Sequence, residues 1–357
     1  MHPSPVAERY RRTMTPSPLL SSLGVDLPLV GAPMAGGPGS PALVAALAAG
    51  GALPVVAGGY LAPGALAERV TAARATGHPF GVNLFVPGPP DFDRDAFARY
   101  AERLAPEAEQ LGISLDPAPR VDDDAYPAKL ALLLDDPVPL VSFTFAPPTA
   151  SDVAALQRAG SRVLVTVTTP EEAREAEARG ADGLVVQGPR AGGHSGTWDP
   201  GRRIGEEDTA AVVRAVRAQT RLPLVAAGGV DGPAAVTTLR ESGAEAVAVG
   251  TLLLRAEEAG TSATHRDALA DPRFTATAVT RAFTGRPARA LRTPFLQRHD
   301  AEAPTAYPAV HHLTRALRAE ASRRGLAELV HLWAGTGFRA ARAVSARTVI
   351  DDLAGDL

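Results

Sequence analysis

Eight short apolar runs, each bounded by turn residues and followed by an alanine-rich amphipathic segment, constrain the fold of this chain more than any other feature. Strand-length apolar runs that alternate with helical periodicity are typical of a parallel sheet with helices outside it. Eight such units predict an α/β fold, a closed (β/α)8 TIM barrel. The runs occupy residues 29–32, 53–57, 80–85, 140–145, 163–167, 183–186, 224–227 and 246–249.

Three segments lie outside the predicted barrel units. Residues 1–22 carry no continuous apolar core and predict a flexible leader. The barrel is expected at residues 23–254, with an insertion at about 87–139 after the third strand. Residues 255–357 predict a smaller, mainly helical lid domain and a C-terminal return to the barrel. We expect the insertion and the lid to cover the face that carries the chemistry.

Composition excludes several classes of function. The net charge of −3 provides no positive field for a nucleic-acid backbone. The mean hydropathy of zero leaves no excess of apolar segments for a membrane, so a cytoplasmic protein is expected. The absence of cysteine removes thiolate chemistry, and no histidine has a metal-ligand spacing, so no metal is expected.

Small residues follow the seventh and eighth predicted strands, as Gly228-Gly229 and Gly250-Thr251. The loops after the strands of a parallel barrel open on one face, where ligands bind. Glycine lets backbone N–H groups approach an anion, and Thr251 is expected to begin a helix whose N-terminus favours negative charge. These loops predict a phosphate site.

Three polar side chains accompany the third and sixth strands. Asn83 interrupts the third strand and Gln187 ends the sixth, and amides suit the edge of a heterocyclic ring. With the phosphate site, they predict a mononucleotide ligand. His194 follows the sixth strand among small residues; although a lone histidine is commonly structural, this one is expected to reach a ligand. It could move a proton near neutral pH, or stabilise negative charge when protonated.

The absence of two nucleotide-binding motifs narrows the choice of cofactor. No Gly-x-Gly-x-x-Gly follows the first strand, and no Gly-Lys-Ser/Thr phosphate loop occurs. A dinucleotide domain and an ATPase therefore lose their support. Without a thiol or a metal, a mononucleotide-binding barrel favours flavin as the redox group.

Several loop motifs, taken together and in order, resemble the nitronate monooxygenase family. They include Gly31-Ala32-Pro33-Met34, the strand at 81–85, the run at 187–196, the segment at 280–289 and Trp333-Ala334-Gly335. The resemblance covers nearly all of the chain after the leader. It implies a TIM barrel with a helical second domain, FMN without a metal, and oxidation of alkyl nitronates by O2 to carbonyl compounds and nitrite.

The resemblance also implies roles for single residues. Met34 would lie beside the isoalloxazine, Asn83 and Gln187 would bond flavin polar groups, and His194 would be the catalytic histidine. The phosphate side would be surrounded by Gly192, Gly193, Gly228, Gly229, Gly250 and Thr251.

Three positions depart from the family pattern and leave the substrate open. The family usually has an acidic residue where this chain has Arg190, and usually a glycine where it has Ala146. It often has a glutamine where this chain has Thr336. The alternatives are an NADH:quinone reductase, a flavin-dependent enoyl-acyl-carrier-protein reductase and a non-catalytic flavin-binding accessory protein; a phosphate-ligand lyase on this fold would be colourless. The sequence also leaves the oligomeric state open, with a homodimer as one possibility.

Overall fold

Eight parallel strands form a closed barrel in the structure, a computed structural model that describes residues 17–88 and 91–355. The register pair Val30 and Ala248 joins the last barrel strand to the first. The predicted (β/α)8 barrel is confirmed, and every predicted strand agrees with the observed one to within one residue at each end. The barrel strands are β1 (Leu29–Gly31), β2 (Leu53–Ala57), β3 (Gly81–Phe85), β4 (Leu140–Thr144), β5 (Arg162–Val167), β6 (Gly183–Gln187), β8 (Leu224–Ala227) and β9 (Ala246–Val249).

Helices surround the barrel, and polar side chains fix where several of them begin. Ser40, Thr149 and Thr169 each accept a hydrogen bond from a backbone N–H in the first turn of the helix that follows. The last helix packs against the first and seventh of this ring. The ring consists of α2 (Pro41–Ala49), α3 (Pro63–Arg74), α5 (Tyr126–Asp135), α6 (Ala150–Arg158), α7 (Pro170–Ala178), α8 (Thr209–Arg217), α9 (Pro233–Glu241) and α13 (Ala346–Ala354).

A short helix, α1 (Pro18–Ser22), lies at the base of the barrel. Leu19 and Leu20 are buried in a cluster with Leu53 and Leu140, residues at the starts of β2 and β4. The sequence predicts a flexible leader at residues 1–22. Positions 1–16 lie outside the described residues, and positions 17–22 are ordered because burial of two leucines stabilises α1.

The insertion and the tail pack together beside the barrel. The insertion contains α4 (Arg94–Gln110) and ends in α5, which takes the place of the third barrel helix. In α4, Phe97 and Tyr100 pack in one apolar cluster with Phe283 and Phe295 of the tail. The tail contains α10 (Ala263–Ala270), α11 (Pro294–His299) and α12 (Ala309–Arg323).

A three-stranded antiparallel sheet, which the sequence did not predict, joins the tail to the barrel. Its strands are β7 (Gly193–His194), β10 (Thr277–Thr280) and β11 (Ala288–Leu291), in the order β10-β11-β7. Ala288 pairs with His194 and Arg289 with Gly193. The tail therefore fixes the backbone of the loop that follows β6. Within the described part of the chain, no helix is long and apolar enough to span a bilayer.

Replacing Leu20 tests the role of α1. We expect Leu20→Ala to lower the free energy of unfolding by about 2–5 kcal/mol, because the fully buried side chain leaves a cavity. Urea unfolding followed by circular dichroism measures this. Ser21→Ala, an exposed position in the same helix, is the control and should unfold like the wild type. A flexible segment here would leave both variants unchanged.

Candidate active site

A cavity of about 1130 Å³ opens at the carboxyl-terminal ends of the barrel strands and extends under the tail. Its size exceeds the range of ~300–1,000 Å³ that is usual for small-molecule pockets. Every site residue predicted from the sequence lines this one cavity: Met34, Asn83, Gln187, Gly192, Gly193, His194, Gly228, Gly229, Gly250 and Thr251.

One side of the cavity is formed by backbone. Gly228 and Gly229 have φ values of 108° and 79°, in the left-handed region that favours glycine. No described residue accepts a hydrogen bond from the backbone N–H groups of Gly229, Gly250 or Thr251. Three free donors on adjacent loops are suited to an anion such as a phosphate.

The predicted helix at Thr251 is a single 3₁₀ turn, Thr251–Leu253. So short a turn has little macrodipole, so the expected contribution from a helix N-terminus is wrong. The Thr251 hydroxyl instead accepts a hydrogen bond from the Gly335 N–H at 2.9 Å. Any anion at this side would be held by the free N–H groups of the loops.

The Asn83 amide is held by the neighbouring strand. Its Nδ2 atom donates to the hydroxyls of Ser142 and Thr144, each at 3.0 Å. These contacts orient the side chain inside β3. Its Oδ1 atom accepts from no residue in the described ranges, so this atom is available to a donor on a ligand.

Gln187 bonds mainly to the protein. Its Nε2 atom donates to the carbonyl of His194 at 3.1 Å, and its Oε1 atom accepts the N–H of Gly196 at 2.6 Å. Both polar groups of the amide thus hold the loop after β6. In the structure this side chain therefore holds the backbone on either side of Ser195, including that of His194.

His194 lies at the centre of an aromatic wall. Its ring centroid is 5.6 Å from that of Phe145, 5.8 Å from Tyr307 and 5.3 Å from Trp333. Its Nε2 atom is 2.9 Å from the hydroxyl of Thr284. Burial, and then the charges of Arg286 and Arg318, lower the pKa of His194 to about 3. The ring is therefore neutral at pH 7 in the free protein.

Two buried arginines, neither of them predicted from the sequence, also line the cavity. Arg286 is 3% exposed and Arg318 is 6% exposed. Arg286 donates to the carbonyls of Phe145 and Thr197, while its Nε atom has no partner among the described residues. Arg318 donates to the Thr314 hydroxyl and to the carbonyl of His311.

Neither arginine forms an ion pair with a carboxylate in the ranges 17–88 and 91–355. Burial lowers the pKa of each guanidinium to about 10, so both are charged at neutral pH. Buried charges are normally paired, because their desolvation is costly. This side of the cavity thus has positive charge that a negatively charged ligand would neutralise.

Two tyrosines complete this side. The rings of Tyr60 and His311 stack at a centroid distance of 4.4 Å. The Tyr60 hydroxyl is buried, and its side chain interacts with that of Tyr307. Burial raises the pKa of Tyr60 to about 12 and also raises that of Tyr307. Both phenols are therefore neutral groups that can donate a hydrogen bond.

None of the three residues that depart from the family pattern lines the cavity itself. Arg190 is exposed, with its guanidinium 3.6 Å from a carboxylate oxygen of Asp208. The Thr336 N–H donates to the carbonyl of Arg190. Neither of these residues, nor Ala146, is among the described residues that line the cavity. Each of the three is nevertheless the chain neighbour of a residue that does line it, namely Ala191, Phe145 and Gly335.

The described residues contain no group of three or more His, Asp or Glu side chains that could hold a metal ion. The site is thus a cavity with free backbone donors on one side and two arginines, a neutral histidine and two phenols on the other. Together the fold and the cavity define a (β/α)8 barrel with a ligand site at the carboxyl ends of its strands.

Comparison with known proteins identifies the family. The sequence model of the nitronate monooxygenase family matches residues 17–356. The nitronate monooxygenase of Pseudomonas aeruginosa is 37% identical, with 93% of this chain and 98% of that protein covered. The nitronate monooxygenase of Paraburkholderia phytofirmans is 33% identical, with 95% and 94% covered. The chain belongs to the nitronate monooxygenase family and is an oxidoreductase.

Solved structures agree with this assignment. The crystal structure of nitroalkane oxidase from Streptomyces ansochromogenes superimposes with a TM-score of 0.90 at 44% identity, covering 95% of this chain and 98% of that one. FabK from Thermotoga maritima has a TM-score of 0.74 at 22% identity, with 95% of each chain covered. The likeness to FabK shows a common fold alone.

The charge state of His194 can be measured directly. With the pKa lowered to about 3, we expect the ring to stay neutral from pH 8 down to about pH 5. An NMR titration of ¹⁵N-histidine-labelled protein, with His194→Leu used to assign the signal, measures this. Because the unfolded chain binds a proton below about pH 6.5, this group makes the protein less stable as the pH falls from about 6.5 toward 3. Protonation of His194 with a midpoint near 6.5 would contradict the burial argument.

Proposed function

We propose that this protein is an FMN-dependent nitronate monooxygenase, which oxidises alkyl nitronates with O2 to carbonyl compounds and nitrite. In the balanced reaction, two nitronates and one O2 give two carbonyl compounds and two nitrite ions. Each C–N bond breaks, each carbon gains a C=O bond, and the four electrons lost by the two carbons reduce O2.

The observation that carries this proposal is the positive charge around His194. An alkyl nitronate is an anion, and Arg286 and Arg318 are buried beside the cavity without a carboxylate partner in the described ranges. A nitronate would neutralise charge whose burial otherwise costs free energy. Family membership supports the same substrate class.

The neutral histidine favours a nitronate over a nitroalkane. Removing a proton from a neutral nitroalkane requires a base, and the lowered pKa makes His194 a weak one in the free protein. A nitronate has already lost that proton. We therefore assign His194 to contact with the bound anion, with Phe145 and Trp333 excluding water from it.

The other side of the cavity fits FMN. The free N–H groups of Gly229, Gly250 and Thr251 would bind its phosphate, with Gly192, Gly193 and Gly228 allowing close approach. Asn83 Oδ1 would accept from a ring N–H, and Met34 would supply apolar contact. When bound, FMN supplies the ring that takes electrons from the nitronate and passes them to O2.

Product analysis tests the proposal. Purified protein should be yellow, and addition of ethyl nitronate in air should consume O2 and release nitrite. Neutral nitroethane, added fresh at a pH where it ionises slowly, should react far more slowly. Oxidation of NADH by a quinone without nitrite release would instead identify a reductase and overturn the proposal.

Two variants should show that flavin binding and turnover depend on different residues. Gly250 has φ of −120°, and an added Cβ would lie 3.4 Å from that of Ala32, so Gly250→Ala should fold. The methyl group would still obstruct the phosphate, and we expect reduced FMN content. His194→Leu should keep its FMN and lose about 100-fold in kcat/KM.

Absorbance of the purified variants gives the FMN content, and nitrite release gives the rate. Gly229→Val is a poorer probe, because its φ of 79° would strain any branched residue whatever it binds. The site assignment fails if Gly250→Ala retains full FMN affinity, or if His194→Leu turns over at the wild-type rate.

The charge of the Arg318 side chain should affect kcat/KM for the nitronate more than its shape does. We expect Arg318→Met to lower kcat/KM for the nitronate by roughly 10- to 100-fold, because a buried positive charge is lost. Arg318→Lys keeps the charge and should lose less. Steady-state nitrite assays at matched FMN content compare the two, and equal losses would rule out an electrostatic contribution.

A further inference from the structure

Thr284 is the polar contact of the His194 ring. Its hydroxyl lies 2.9 Å from Nε2, and the side chain is buried at 1% exposure. Thr284 lies in the turn between β10 and β11, which continues through Gly285 to Arg286. The turn therefore brings the hydroxyl and one of the two cationic side chains to the cavity together.

The hydroxyl of Thr284 has one proton and two acceptors within reach. It accepts the backbone N–H of Arg286 at 3.4 Å, and it lies 3.3 Å from the carbonyl of the same residue. Its proton can go to this carbonyl or to Nε2 of His194. In the first case Nε2 must carry the ring proton, and in the second case Nδ1 must carry it.

The environment of the ring favours a proton on Nδ1 when an anion is bound. The contact with Nε2 is the shorter one, and the contact with the carbonyl is long for a hydroxyl donor. His194 lines the cavity, and its Nδ1 atom bonds to no residue in the described ranges. Since the ring is neutral, it has one N–H, and a lone pair on Nδ1 would repel an anion in the cavity.

We propose that Thr284 is a positioning residue: its hydroxyl donates to Nε2 of His194 and holds the ring proton on Nδ1, which donates a hydrogen bond to the bound anion. This inference rests on the proposed function, because it takes the ligand to be a nitronate. The hydrogen bond from Nδ1 to the anion is charge-assisted and therefore strong. It stabilises this arrangement by more than the long hydrogen bond from Thr284 to the Arg286 carbonyl would stabilise the other. Thr284 thereby sets specificity for an oxyanion without touching it.

The tautomer can be read without turnover. Two-bond ¹H–¹⁵N correlation spectra of the FMN-loaded, ¹⁵N-histidine-labelled enzyme show which ring nitrogen carries the proton. Nitrate, an oxyanion without the carbon that is oxidised, serves as the probe, and His194→Leu assigns the signal. We expect Nδ1 of His194 to be protonated and Nε2 to be unprotonated with nitrate bound. A proton on Nε2 would overturn the inference.

Two variants test the consequence for the reaction. Thr284→Val keeps the shape and removes the hydroxyl, and it should lower kcat/KM for ethyl nitronate by about 10- to 100-fold. Thr284→Ser retains the donor and should stay within about threefold of the wild type. Valine and serine variants of equal activity would contradict a positioning hydroxyl. Should the valine variant fail to load FMN, the wild-type spectrum still decides.

Failure of this inference differs from failure of the proposed function. If the wild-type enzyme releases nitrite but carries the proton on Nε2, only the proposed role of Thr284 is rejected. A wild-type enzyme with the proton on Nδ1 and no nitrite release supports the positioning of His194 and removes the nitronate as substrate.

Discussion

Pairing of β11 with β7 is the interaction on which the rest of this site depends. It places Ala288 opposite His194, and so ties the tail to the loop after β6. Gln187 holds the same loop from the barrel side through the His194 carbonyl and the Gly196 N–H. The turn before β11 then brings Thr284 and Arg286 to the ring. The site is thus built by the barrel and the tail together, and neither segment contains it alone.

Burial gives this junction its electrostatic character. Arg286 and Arg318 keep their charge in a cavity wall where neither pairs with a described carboxylate. Desolvation, and then the field of these two cations, lowers the pKa of His194 and keeps its ring neutral. Glu172 and Asp199 act on Arg286 only at a distance, and neither forms an ion pair with it. The protein therefore maintains a local positive potential although its net charge is −3. That potential and the free N–H groups of the glycine loops are the basis of our proposal that one cavity has two anion-binding sites.

The barrel and the residues of the cavity could be predicted from the sequence because their signals are local. Apolar periodicity located all eight barrel strands, and the loops after them carry Asn83, Gly229 and His194. Long-range contacts left no such signal. β7 is two residues long within a glycine-rich run, and its partner β11 lies over ninety residues away along the chain. Arg318 is one of three arginines in α12, an amphipathic helix, and its burial becomes visible only when the tail is folded.

Anaerobic mixing isolates electron transfer from the nitronate to the flavin from every later step. FMN-loaded protein is mixed without O2 with ethyl nitronate, with neutral nitroethane or with NADH, and the flavin absorbance is followed. We expect that the nitronate alone bleaches the absorbance rapidly, and that admission of O2 restores it. Rapid bleaching by NADH, with no change on addition of the nitronate, would contradict this expectation.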